Sequence, residues 1–491
     1  MTKRRKKLSS LGLTALRGAD VDITGLAIDN RKVVPGDLFA ALPGTHVHGA
    51  QFADAAVAAG AAAVLTDAEG ARVVSQIGGA ALVVVEDARA TLAHAAALWF
   101  GAQPANVVAV TGTNGKTSVA SFTRQIWHAL GHQAASIGTI GVEGAFSAPG
   151  IHTTPDPLTL HQLLADMAEG GVTHVAMEAS SHGLDQRRMD GVHLSAAAFT
   201  NLSQDHLDYH VTMDAYGAAK LRLFSELLPQ DAAVVTNTGD DTGLAAADIA
   251  AARGQTVISV ADHAAGAMIE ITGTRLHETG QDVLFRFAGQ RYQARLDLIG
   301  GFQALNALQA AGLAMATGDE PEAVFAALPR LTGVRGRMQL AARRRFGAPV
   351  FVDYSHTPAS LETALIALRP HVMGRLHVVF GAGGDRDRGK RPLMGRAAAA
   401  HADLVVVTDD NPRSESPALI RAAILEGCPD ATEIGDRAEA ILRAVDALEP
   451  GDALLIAGKG HETGQEIGDV KYPFDDLEQA SLAVAVLEGA A

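Results

Sequence analysis

One cysteine, Cys428, stands in 491 residues, so no disulfide can form within the chain and a reducing, cytoplasmic setting is expected. No apolar run approaches the ~20 residues that a membrane-spanning helix needs, so no membrane span is expected. Basic residues are the minority. Lys and Arg total 40 against 55 Asp and Glu, and the formal net charge of −15 argues against a nucleic-acid-coating role. It still leaves room for local basic pockets that take anionic small molecules. Internal repeats and low-complexity linkers are also missing. The opening MTKRRKKLSS has the charge of a signal-peptide start, but Arg17 and Asp20 break the apolar run behind it and no cleavage-like site follows. Lys3 to Lys7 are therefore expected to form a solvated, frayed tail.

What is present is the profile of a folded protein, 48% hydrophobic and 19% charged. The length calls for two to four domains, and three blocks emerge. Residues 1–103 carry short strand candidates (61–67 and 81–87) among Ala-rich helical stretches. Residues 104–335 alternate β-rich runs (VVAVTG, HVAMEAS, AAAFTNLS, AAVVTN, TVISV) with helical segments, the pattern of a parallel sheet covered by helices. Within that block, 268–298 alternates like antiparallel strands, and the helical FQALNALQAAGLAMATG follows. Residues 336–491 offer four strand candidates (PVFVDYS, RLHVVFGAGGD, ADLVVVTDDNP, DALLIAGKGHE), each ending in polar or glycine residues. In open α/β sheets ligands bind at such carboxyl ends.

The most informative stretch is VVAVTGTNGKTS, residues 107–118. A β-branched run ends in a Gly-containing turn, a lysine and paired hydroxyls, and a helix-like segment follows. Glycines let backbone N–H groups approach phosphate oxygens, and the new helix points its positive end at them. Lys116 would neutralise charge and the Thr117 hydroxyl could hold Mg²⁺. Only two residues separate Gly112 from Gly115, fewer than in the general phosphate loop. Glu178 and His206, each after a strand candidate, could bind divalent ions bridging ATP phosphates. Taken singly, they read equally as a solvated turn carboxylate and one of 19 histidines.

The compact T-G-T-N-G-K-T/S loop resembles that of the Mur ligase and folylpolyglutamate synthase superfamily. HTTPDP (152–157), MEASSHGLDQRR (177–188), NLSQDHLDYH (201–210) and YGAAKLRLF (216–224) continue the likeness. DYSHTP (353–358), GAGGDRDRGKRP (381–392), DNPR (410–413) and GKGHE (458–462) follow in order. Together they resemble the Mur ligases of the type that adds diaminopimelate to UDP-N-acetylmuramoyl-L-alanyl-D-glutamate.

That resemblance implies three α/β domains: a UDP-precursor-binding domain over 1–103, a central parallel-sheet ATPase domain over 104–335 and a Rossmann-like amino-acid domain over 336–491. It implies an ATP- and Mg²⁺-dependent ligase of cytoplasmic peptidoglycan precursor synthesis, hence of cell-wall biogenesis, cell shape and division. The substrates would be small molecules, and a monomer is expected. ATP would be held by Gly112, Thr113, Asn114, Gly115, Lys116, Thr117 and Ser118, with Asn306, Arg337, Asp353 and His356. Thr117, Glu178, His206 and Lys220, the last as an N-carboxylated side chain, match the metal positions. Lys116, Lys220 and His206 carry the catalytic roles.

The UDP precursor would meet Asn30, Thr153, Thr154, Ser180, Gln186 and Arg188. Asn30 replaces the family's usual serine, and HVHGAQFA departs from D-G-H-x-F. Diaminopimelate would meet Arg386, Asp410, Asn411, Pro412, Arg413, Gly458 and Glu462. Arg413 would pair with the distal carboxylate and Glu462 with the ammonium. Domain closure would bring Arg413 toward Lys116. A folylpolyglutamate synthase, or a protein that binds wall precursors without ligating them, are the rival readings.

Overall fold

The computed structural model describes residues 4–44, 47–74, 78–150, 152–264 and 266–489. Three α/β sheets with separate cores carry the chain, as the fold class expected. The first is four-stranded and parallel, in the order Gly25–Ala27, Asp37–Ala40, Ala63–Thr66, Ala81–Val84. Leu38, Leu65 and Val83 pack on Leu92 and Trp99 of the helix Ala88–Phe100, while Phe39 and Val64 pack on Ala53 and Ala56 behind. Burial on both faces explains why these strands read as unbroken apolar runs. Asp87 starts the helix Ala88–Phe100 by accepting from the N–H groups of Arg89 and Ala90.

The basic tail departs from expectation. Lys6–Lys7 pairs antiparallel with Asp22–Ile23. Arg4 donates to the carbonyls of Trp99 and Phe100 at 3.1 and 3.3 Å, and Lys6 to that of Leu98 at 2.5 Å. These carbonyls end the helix Ala88–Phe100, where unpaired C=O groups and the helix dipole attract cations. The charge run is a C-terminal cap for a distant helix, a long-range partner that composition does not reveal. Lys3 lies outside the described residues.

Six neighbouring strands of the central sheet run in the order Ala233–Asn237, Ala196–Phe199, Asn106–Thr111, His174–Glu178, Ala134–Gly138, Gly141–Gly144. These neighbours run parallel except the last pair. Register positions the chemistry: Glu178 pairs with Val110, and Phe199 with Thr111. The ends of three strands thus stand level where the Gly-rich loop begins.

The chain forms two compact units, 1–259 with 312–320, and 260–311 with 321–491. The division passes through the strand Val257–Asp262 and the helix Phe302–Ala316. The first two sheets share a unit because the helices Ala88–Phe100 and Pro157–Glu169 pack together. In the second unit, Ile269–His277, Gly280–Phe287 and Gln290–Leu296 form the antiparallel meander that the alternation of 268–298 predicts. The third sheet runs Gln339–Arg343, Pro349–Asp353, Ala453–Ala457, Leu376–Phe380, Leu404–Val407, Thr432–Glu433, with only the first strand antiparallel. Asp353 stands level with Ala457, and Phe380 with Val407, so the polar strand endings gather along one edge. Among the described residues, no helix is long and apolar enough to cross a membrane.

Candidate functional site

In the first unit the strand Asn106–Thr111 delivers Gly112, and the helix Lys116–Ala129 starts four residues later. Gly112 has φ 139, and a Cβ there would stand 1.9 Å from Thr200 Oγ1, so only glycine fits. The loop is fixed by its neighbour. Thr113 N–H donates to the Asn201 carbonyl at 2.8 Å, Asn114 N–H to Asn201 Oδ1 at 3.1 Å, and Thr200 Oγ1 to the Asn114 carbonyl at 2.6 Å. Thr117 and Ser118 are buried in the first helical turn.

Two lysines converge on one oxygen. Lys116 Nζ donates to the Gly112 carbonyl at 3.0 Å, and Lys220 Nζ donates to the same carbonyl at 2.7 Å. Lys220 is 1% exposed, unlike the usual helix lysine, whose ammonium is solvated. Burial, then the Lys116 charge, lowers the Lys220 ammonium pKa to about 6. Near neutral pH its amine therefore carries a lone pair.

Tyr216, one helical turn before Lys220, puts its ring 4.4 Å from Lys220 Nζ, and its hydroxyl is 3.2 Å from Thr113 Oγ1. Sequence reading did not single out Tyr216; its place in YGAAK was the available signal.

Glu178 is buried at the adjacent strand end. Its Oε1 accepts from Thr139 N–H at 2.8 Å, and a Cβ at Gly138 would collide with it. A hydrogen-bonded chain leads outward. Thr154 Oγ1 donates to the Glu178 carbonyl at 2.9 Å and accepts from Ser180 N–H at 2.9 Å. Arg188 donates to the Thr154 carbonyl and to Gln186 Oε1, both at 2.8 Å, and Thr153 Oγ1 lies 3.0 Å from Thr139 Oγ1. The structure thus brings together Thr153, Thr154, Ser180, Gln186 and Arg188, which sequence alone would read as a polar loop.

His206 is half exposed, at φ 52, with its ring 3.5 Å from Asp205 and edge-on to Tyr216 at 6.1 Å. Among the described residues, no three His, Cys, Asp or Glu side chains are arranged to hold a metal ion.

Asn30 opens a short turn capped by Asp29. It is not among the residues lining the cleft of about 440 Å³, which are Pro43, Asp67, Glu86, Asp87, Ala88, Arg89 and Arg187. The departure at HVHGAQFA has a physical account. His48 caps the turn Gly49–Phe52 by accepting from Ala50 N–H through Nδ1 at 3.0 Å, as an aspartate would, and turns Nε2 to Asp67 at 3.2 Å. His46 lies outside the described residues.

The second unit holds the remaining positions. Asn306 is buried and donates to Gln303 Oε1 at 3.0 Å. Arg337 lies over the Tyr354 ring at 5.0 Å, and its Nε is buried without a hydrogen-bond partner among the described residues. Asp353 accepts from Met338 N–H at 2.7 Å and from Ser355 N–H at 2.8 Å, so it braces the strand end with both oxygens. His356 and His461 also pack on Tyr354. Arg337, Tyr354, His356 and His461 therefore form one cluster.

The D-N-P-R segment is organised by a buried lysine. Lys459 Nζ lies 3.1 Å from Asp410 Oδ1 and donates to Asn411 Oδ1 at 3.0 Å. Burial works against ionising Asp410, but Lys459 and Arg437 overcome it and hold the carboxyl below its ordinary range. Asn411 in turn donates to Glu462 Oε2 at 2.9 Å. Burial pushes the Glu462 carboxyl up. Gly458, at φ 118, leaves room for Asp410, whose Oδ2 would lie 2.8 Å from a Cβ there. At Gly383, a Cβ would lie 2.9 Å from Arg413 Nη1 and 3.9 Å from Arg386 Cγ, so the two guanidinium side chains flank the same glycine. Pro412 fixes the turn between Asn411 and Arg413.

Behind this array stands a pair that sequence reading missed. Arg437 and Asp476 are fully buried, with N–O distances of 2.7 Å through both Nε and Nη2. Arg437 also donates to the carbonyls of Asp409 and Ala457, tying the two strand endings together. Removing one partner strands the other charge. Arg437→Ala should therefore cost about 3–5 kcal/mol of stability in urea unfolding; a loss within about 1 kcal/mol would refute this account.

Residues 22–99 match the family description "Mur ligase family, catalytic domain", 110–314 "Mur ligase middle domain", and 336–460 "Mur ligase, glutamate ligase domain". The UDP-N-acetylmuramoyl-L-alanyl-D-glutamate--2,6-diaminopimelate ligase of Bradyrhizobium diazoefficiens is 54% identical over 475 residues, 95% of this chain and 96% of that protein. Its namesake in Caulobacter vibrioides is 50% identical over 492 residues, 99% of each. A solved structure of a ligase with that name is 33% identical, with a TM-score of 0.74, and covers 98% of this chain and 99% of its own. With the Gly-rich loop, the converging lysines and near full-length identity in agreement, the chain belongs to the Mur ligase family.

Proposed function

We propose that this chain is an ATP-dependent amide-bond-forming ligase that adds meso-diaminopimelate to UDP-N-acetylmuramoyl-L-alanyl-D-glutamate, in cytoplasmic peptidoglycan precursor synthesis. The observation that carries the reading is the near full-length identity to relatives of that name. The domain limits we assign are 1–103, 104–335 and 336–491.

The free D-glutamyl side-chain carboxylate takes the γ-phosphoryl of ATP, with ADP as the leaving group, and becomes an acyl phosphate. The amine of diaminopimelate attacks it, and the tetrahedral intermediate collapses to the amide, releasing phosphate. Such chemistry needs charge neutralisation and positioning more than a protein nucleophile. The backbone N–H groups of the 112–118 loop and the positive end of the helix Lys116–Ala129 receive phosphate oxygens. Lys116 gives up its contacts with the Gly112 and Thr113 carbonyls to meet the transferred phosphoryl.

The oxygen donors Thr117 and Glu178 suit Mg²⁺, a hard cation. With His206 and an N-carboxylated Lys220 they would hold it. When bound, the ion offsets the phosphate charge. The neutral amine of buried Lys220 is the form that adds to CO2; it forms an N–C bond and releases one proton to give an anionic carbamate whose oxygens are ligands. Thr153, Thr154, Ser180, Gln186 and Arg188, already linked, supply hydroxyl, amide and guanidinium contacts to the muramoyl dipeptide, with Asn30 toward the uracil. Asn306, Arg337, Asp353 and His356 serve the rest of ATP.

Arg413, beside Arg386, takes the distal carboxylate of diaminopimelate, and Glu462 its ammonium, within the frame of Asp410, Asn411, Pro412 and Gly458. The test is incubation with ATP, Mg²⁺ and the UDP-dipeptide, offering meso-diaminopimelate or L-lysine, with products followed by mass. Tripeptide with diaminopimelate alone is expected; no product with either would overturn the reading. Arg413→Ala should raise the KM for diaminopimelate by about 10²-fold and leave that for ATP near its original value. Equal effects on both would remove Arg413 from substrate choice.

A further inference from the structure

Arg413 does not wait with an empty fork. Its Nε lies 2.8 Å from Glu466 Oε2, and its Nη1 donates to the Gly384 carbonyl at 2.9 Å. The backbone repeats the contact. Arg413 N–H donates to the Glu466 carbonyl at 3.1 Å, and Gly468 N–H to the Arg413 carbonyl at 2.8 Å. Arg413 itself sits at φ 51, an unusual value for a side-chain-bearing residue, so the hairpin Gly464–Ile467 with Val470–Pro473 holds it in a set conformation. Asn411 contributes too, since its Oδ1 accepts from Glu466 N–H at 2.9 Å. The same amide thus fixes Glu462 on one side and the Glu466 backbone on the other.

A second cation stands within reach of Glu466. Lys471 is its direct cross-strand neighbour in the hairpin, and the two share a face. The Lys471 stem lies along Gly464, where a Cβ would come within 2.3 Å of Lys471 Cε. Among the described residues Lys471 forms no ion pair, so Glu466 has an alternative partner on its own hairpin.

We propose that Glu466 is a specificity-determining residue, an internal carboxylate that occupies the Arg413 fork and is exchanged for the distal carboxylate of the incoming amino acid, with Lys471 receiving it. This rests on the reading that Arg413 takes that carboxylate. The exchange gives selectivity by imposing a cost. A ligand that offers only a carboxylate must displace Glu466 with nothing in return, whereas diaminopimelate also places an ammonium at Glu462. A diamino acid without the distal carboxylate leaves the Arg413–Glu466 pair closed and gains nothing from the fork.

The test is Glu466→Gln, which keeps shape and removes charge, measured alone and in an Arg413→Ala background. In the otherwise unchanged protein the KM for diaminopimelate should fall about two- to fivefold, the worth of a partly exposed ion pair, with kcat and the KM for ATP unmoved. In the Arg413→Ala background the same substitution should change nothing. An unchanged KM in the single variant overturns the inference. So does an equal fall in both backgrounds, because Glu466 would then act on the substrate's charge without Arg413. If Arg413→Ala alone leaves the diaminopimelate KM where it was, the reading beneath the inference is what has failed.

Discussion

Lys116→Ala should lose turnover by about 10²–10³-fold while the protein stays folded, with urea unfolding shifted by no more than about 1 kcal/mol. The asymmetry follows from what the side chain does before and during the reaction. In the resting chain its ammonium donates to the Gly112 and Thr113 carbonyls, contacts that any loop of this shape can exchange for water. In the proposed reaction the same charge would meet the oxygens of the transferred phosphoryl, sharing their neutralisation with the helix N-terminus and Mg²⁺. Removing it leaves the ground-state fold nearly unchanged and the transition state less compensated. Near-normal turnover in the Lys116→Ala protein would exclude the loop as the phosphate site.

The substitution has a second consequence. Lys116 is one cause of the depressed Lys220 pKa, after burial. Without it the Lys220 ammonium is easier to keep, so the two lysines should not behave additively.

The sequence made the chemistry legible where it is local. Gly112, Gly115, Lys116 and Thr117 sit within one turn, and each residue type has a reason at its spacing. The strands followed from apolar runs and the meander from alternation. Partners brought from afar were not legible. Nothing in KRRKK says that its charges meet the carbonyls of Leu98, Trp99 and Phe100. Nothing near Arg437 announces Asp476, 39 positions on, and only folding makes their burial complete. Glu466 lies outside every motif and reaches Arg413 through a hairpin register. The burial of Lys220 is not written in its own segment either, because it depends on how the helix Met213–Arg222 meets the Gly112 carbonyl.

Lys220 carries the other large effect. Lys220→Arg puts a permanent cation at this position and cannot form the carbamate, so turnover should fall by about 10²-fold or more even at saturating Mg²⁺. The pH dependence has a definite sign. The folded amine holds its proton only below about 6, whereas an unfolded lysine holds it to its ordinary value of 10.5. Between those limits folding of the uncarboxylated chain releases a proton, so its stability rises with pH across that window. Nucleophilic amine becomes available over the same range, and carbamate should form from CO2 above about pH 6 and be lost below it. With ¹³C-bicarbonate, a carbamate carbon resonance should appear in the unsubstituted protein, fade as pH falls through 6, and be missing in Lys220→Arg. Activity should follow the resonance. An arginine variant with near-normal turnover would assign the position to a fixed cation instead, and the oxygen ligand to the metal would have to come from another residue.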